Sequence, residues 1–185
     1  MKSVVDQRKA NAGNDMVARD KITTVYNSTP SKIQALLEKL KAESAAEVFT
    51  KETISELARY HQRQSTDGIE GLESKLKKAG LGHAYLDAIE QKEAFAKLLS
   101  RYTMFASAQE IFVHYLTRVR MAFNKTIYPD LPSLTEAQAN MRIHTEIVKS
   151  IVDECYTDVF HLDDEAVFGM LYWLAEQCFV KWHHG

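Results

Sequence analysis

Residues 166–182, AVFGMLYWLAEQCFVKW, are apolar almost all the way round a helical wheel. A helix of that kind has no face to offer water, so the rest of the chain must cover it on two sides or more. The stretch is too short and too interrupted by charge to cross a bilayer. The chain must therefore supply amphipathic helices to pack around it.

It supplies several. In KIQALLEKL, Ile33, Leu36, Leu37 and Leu40 recur at i, i+3, i+4 and i+7, one apolar stripe on a helix. Thr29 suits the N-cap of that helix, with Pro30 at its first position. TKETISELARYHQRQ predicts a second helix with Ile54, Leu57 and Tyr60 inward. A third carries Ile69, Leu72 and Leu76, and Gly80 suits its stop. From Gly82 to Asn124 the pattern is nearly continuous. Leu86, Ile89, Phe95, Leu98, Leu99, Tyr102 and Phe105 form one stretch, and Ile111, Phe112, Tyr115, Leu116, Val119 and Phe123 another, with a break near Ala106–Ser107. NKTIYPDLPS is the clearest loop, and Ser133 to Glu136, SLTE, predicts a capping box. The helix after it bears Met141, Ile147, Val148, Ile151 and Cys155. HLDDE opens the last helix with acids that suit its dipole. Three prolines and seven glycines leave little for a turn-rich β fold. The expected architecture is mostly α: a bundle of about seven helices, mostly antiparallel, over residues 29–185.

Residues 1–28 stand apart as a short β-forming extension, possessing too few large apolar residues to build a core. KITTVY, Lys21 to Tyr26, is rich in β-branched side chains and reads as a strand. Met1 to Asn14 lacks the apolar core of a signal peptide, so the expected location is cytoplasmic. Cys155 and Cys178 fit no metal spacing and read as reduced, buried thiols. Charge is uneven: residues 133–185 hold 3 basic and 9 acidic side chains, which argues against that third lying on a phosphate backbone.

Chemistry-bearing patterns are sparse. Among seven histidines no pair sits at i, i+4 on one helix. His161 beside Asp163, Asp164 and Glu165 offers an oxygen-rich metal site, but a helix cap uses the same acids. The Glu-x-Lys strings at Glu73–Lys75 and Glu90–Lys92 fall on helices among solvent-facing charges, not on a strand edge as a metal nuclease needs. There is no Gly-x-Ser-x-Gly elbow and no phosphate-binding glycine loop. Neither cysteine has a basic neighbour to stabilise a thiolate. Lys75, Lys77 and Lys78 form one small basic knot, and Arg118, Arg120 and Lys125 a second; a solvated helix face explains both as well as nucleic acid does. The reading is a non-enzymatic protein with no catalytic residue, no metal and no cofactor, whose work is binding. A helical DNA-binding regulator using the two basic knots is the alternative, and a metal-dependent enzyme at His161, Asp163 and Asp164 the second.

The most specific pattern lies ahead of the helices. In AGNDMVARDKITT an echo recurs at five residues: Ala12, Val17 and Ile22 are apolar, Gly13, Ala18 and Thr23 small, Asp15 and Asp20 acidic. Stacked β-arcs need such a repeat, with Asp at corners where it bonds backbone amides. Two rungs are too few to be stable alone, so the segment either is a flexible tail or pairs with equivalent segments from other chains. GNDMVARDKI, Gly13 to Ile22, resembles the Gly-Gly-Asp-apolar-Val-Gly-Arg-Asp-Lys-Ile motif of bacterial conflict proteins, among them ABC-three-component, Lamassu-like defence systems. Gly13, Asp15, Arg19, Asp20 and Ile22 match by position; Asn14 and Ala18 stand where that motif carries Gly. GMLYWLAEQCFVKW, Gly169 to Trp182, is similar to the apolar helix that ends helical C-terminal domains in those systems, and together the two segments cover about 24 of 185 residues. The resemblance implies a scaffolding or regulatory subunit linking an SMC/Rad50-like ATPase to an effector, a nuclease in most such systems. It implies self-association or partner binding through Gly13, Asp15, Val17, Arg19, Asp20 and Ile22, indirect contact with nucleic acid, and no membrane.

Overall fold

A computed structural model describes residues 31–64 and 68–183. The β-forming extension and its motif, Gly13 to Ile22, lie outside the described residues, as does Thr29.

Helix α1, Lys32–Ala45, starts two residues later than the Thr29–Pro30 pair predicts. Ser31 is its N-cap, and Ser31 and Gln34 exchange hydrogen bonds in a capping box. α2 spans Ser55–Tyr60 and α3 Gly71–Lys78. Ile54 and Ile69 stand just before these helices rather than on their stripes. α4 runs Tyr85–Tyr102 and α5 Ala106–Ala122, broken at Thr103–Phe105 close to the expected place. α5 continues through a π-turn, Phe123–Ile127, into a 3₁₀ turn, Tyr128–Ser133. α6, Glu136–Ile143, runs through a second π-turn, His144–Val148, into α7, Lys149–Val152, as one rod. α8 spans Asp164–Glu176. Counting that rod once, the described residues form seven helices and hold no strand; Tyr156 and His161 make an isolated antiparallel bridge.

The box before α6 is Thr135 with Gln138, not Ser133 with Glu136. The 3₁₀ turn claims Ser133, whose hydroxyl donates to the Asp130 carbonyl at 2.8 Å. Thr-x-x-Gln satisfies the same two amides two residues later.

α8 is central, as its composition requires: Val167, Gly169, Met170, Leu171, Trp173, Leu174 and Ala175 are all buried. Its tightest neighbour is α4, which runs antiparallel to it. Tyr172 shares a cleft with Asp87 near one end, while Ala166 lies beside Leu98 and Tyr102 at the other. Gly169 permits the approach. A Cβ there would stand 2.3 Å from the Gln91 carbonyl oxygen and 2.8 Å from Phe95 Cβ. Edge-on aromatic contacts carry the core outward from that crossing, from Trp173 to Phe95 at 5.9 Å, then to Phe112 at 6.0 Å and Phe160 at 5.6 Å. Each such pair contributes about 0.5–1.5 kcal/mol beyond area burial.

α1 lies along α5, with Glu43 accepting from the Ser107 hydroxyl at 2.6 Å and from its amide at 3.1 Å. Ile33, Leu36, Leu37 and Leu40 are buried, so the stripe behaves as predicted. Leu86 and Met141 do not: they are exposed, because α4 and α6 each present a narrower arc to the core than their apolar content suggests. Cys155 and Cys178 are free and buried, and burial pushes the Cys155 thiol up to about 11. No described helix is long and apolar enough to cross a membrane.

Candidate interaction surface

The basic residues singled out from the sequence do not form one track. Lys75 is buried. It projects inward from α3, and its Nζ donates to the Ala175 carbonyl and, at 3.4 Å, to the Val180 carbonyl. It therefore caps the C-terminal end of α8 and cannot meet a phosphate. Lys77 stays at the surface, paired with Glu73 at 2.6 Å, and Lys78 is exposed. Arg118 pairs with Glu154. Arg120 lies over the Tyr60 and Phe179 rings at 5.8 and 5.9 Å, where the ring faces attract its charge.

The acids of HLDDE behave as a cap. Asp163 Oδ1 accepts from the Ala166 amide at 2.8 Å, and Asp164 pairs with His144 at 2.9 Å. His161 is exposed. Among the described residues no three His, Cys, Asp or Glu side chains gather as a metal site would need.

A wide concavity lies elsewhere among the described residues, on the outer face of α5. It is a groove of about 800 Å³ between α5 and the N-terminal ends of α1 and α2. Ile54, Val113, Met121 and Ala122 make it apolar, while Lys32, Arg118 and Lys125 rim it with cations, Glu56 and Glu110 with carboxylates and His114 with an imidazole. Met121 is 44% exposed. Burial holds the His114 imidazole below its usual range, against the opposing pull of Glu154. Of the residues expected to bind, Arg118 is in this groove and Arg120 is not. Val113 and Met121 escaped notice because they fall outside the α5 core stripe. The signal was there, since an α5 apolar on more than its core arc leaves apolar surface uncovered.

Residues 71–182 match the model of a family described as C-terminal domain 9 of the ABC-three component (ABC-3C) systems. The chain belongs to this family. The matched stretch runs from α3 through α8 and so contains both the α4–α8 crossing and the aromatic core. α1 and α2 precede it, yet pack into the same hydrophobic core as the C-terminal domain 9 helices. The groove thus joins α5, inside the family's domain, to Lys32, Ile54 and Glu56, outside it. No match was found among curated proteins or solved structures.

Proposed function

We propose that this chain is a non-enzymatic scaffolding or regulatory subunit of a bacterial ABC-three-component defence complex. It links an SMC-like ATPase sensor to an effector through protein–protein contacts. The observation that carries the reading is the family match over α3–α8, a domain type defined by its place in multi-component systems. The apolar groove on α5 supplies a surface of the kind such contacts use. The segment Gly13 to Ile22, with Asp15 and Asp20 as corners and Val17 and Ile22 as inward residues, drives self-association in this reading, and Arg19 offers a charge to a partner.

Light scattering on the purified chain, with and without residues 1–28, tests the self-association. The expected result is a multimer for the full chain and a monomer for the truncation. Identical monomers at every concentration would remove the oligomerising role.

The DNA-binding reading is weaker, since Lys75 is turned inward and Arg118 is paired with a carboxylate. Retention on a DNA column should be absent even at low salt, where phosphate contacts are strongest.

A further inference from the structure

The groove on α5 has an edge where the chain itself arrives. Ser31 caps α1, and Lys32, the next residue, lines the groove. Whatever precedes Ser31 therefore begins at that edge. We propose that residues 21–26, KITTVY, dock in the groove of their own chain, with Ile22 and Tyr26 on its apolar floor.

Reach is the first argument. Five residues, 27–31, separate Tyr26 from Lys32. Extended, they span about 17 Å, and Lys32 and Met121 line the same groove. Chemistry is the second. Ile22, Thr24 and Tyr26 fall on one face of an extended chain. That face offers an aliphatic and an aromatic side chain to a floor of Ile54, Val113, Met121 and Ala122. Tethering is the third. A segment held this close has an effective concentration on the order of millimolar, so contacts too weak to bind a free peptide suffice. A groove of about 800 Å³ fits a few side chains better than a folded domain.

Docking draws Ile22 out of the β-arc proposed above, so the two arrangements compete for that residue; the cross-link tests the docking and light scattering tests the self-association. A diazirine amino acid placed at position 26 of the full chain reports the contact. Isotopically light and heavy protein are mixed, irradiated and mapped by mass spectrometry. The expected product is a cross-link within one chain to a peptide covering residues 113–126. Met121→Glu should reduce its yield at least fivefold; because Met121 is exposed, the fold survives, as an unchanged circular dichroism spectrum would show. A glutamate at an exposed site outside the groove should leave the yield unchanged. Cross-links only between light and heavy chains would mean that another copy fills the groove, and would overturn the proposal. So would cross-links only elsewhere, none at all, or a yield indifferent to Met121→Glu.

Discussion

Lys75 shows how a residue changes meaning between sequence and structure. Beside Lys77 and Lys78 it reads as surface charge. Its place in the α3 stripe, three residues after Leu72 and one before Leu76, was the clue to burial. The Ala175 and Val180 carbonyls that receive it lie about a hundred residues away, so no local pattern could reveal them. Two histidines carry a prediction at the same scale. His61, edge-on to Trp173 at 5.3 Å, and His114, against Tyr115 at 5.1 Å, are both held below the usual imidazole range by partial loss of hydration against their neighbours. The folded chain thus binds fewer protons than the unfolded one below about 6.5, the ordinary value. Their contribution to stability is whole above that pH and drains away as pH falls through the lowered values. Thermal unfolding at pH 7.5 and pH 5.5 should show a lower Tm in acid. A His61→Gln, His114→Gln double variant should narrow that difference, and an equal difference in both proteins would refute the assignment.

At the scale of elements, periodicity was the legible part. The stripe of α1, the second stretch in α5 and the all-round apolarity of α8 each placed a helix correctly. Leu86 and Met141 misled because periodicity reports which residues could be inward, and packing partners decide which are. The two π-turns had no sequence signal, since an extra residue in a turn leaves composition unchanged. Helix ends were half legible. Gly80 stops α3 at φ +76°, and the Gly80 and Leu81 amides bond back to Lys77 and Leu76, as a left-handed cap should. α1 and α8 end the same way on Glu47 at φ 52° and Cys178 at φ 63°, where no glycine announces the stop. Glu47 is exposed, so Glu47→Gly should relieve left-handed strain and raise stability by about 0.5–1 kcal/mol. In a chain of this size that is about 2 °C in Tm. Gly169 is the reverse case. Gly169→Ala sets a Cβ against the Gln91 backbone and should cost about 2–3 kcal/mol by forcing α4 and α8 apart. Calorimetry reads both, and a neutral Gly169→Ala would deny the close crossing.

For the whole molecule, the helical class and the family both showed in the sequence. Gly169 to Trp182 pointed to the same systems that the match over residues 71–182 names. The groove was not legible, because Lys32, Ile54 and Met121 come from three segments that only the fold brings together. The segment Gly13 to Asp20 ahead of α1 is where the scaffolding account places contact with other chains. The most direct test is to co-express the chain with an SMC-like ATPase and an effector of the same three-component system, then measure the mass of what purifies with it. The account predicts a complex holding all three components, with the chain bridging the other two and assembly lost on removing residues 1–28. A chain that elutes alone, while ATPase and effector associate without it, would contradict the claim.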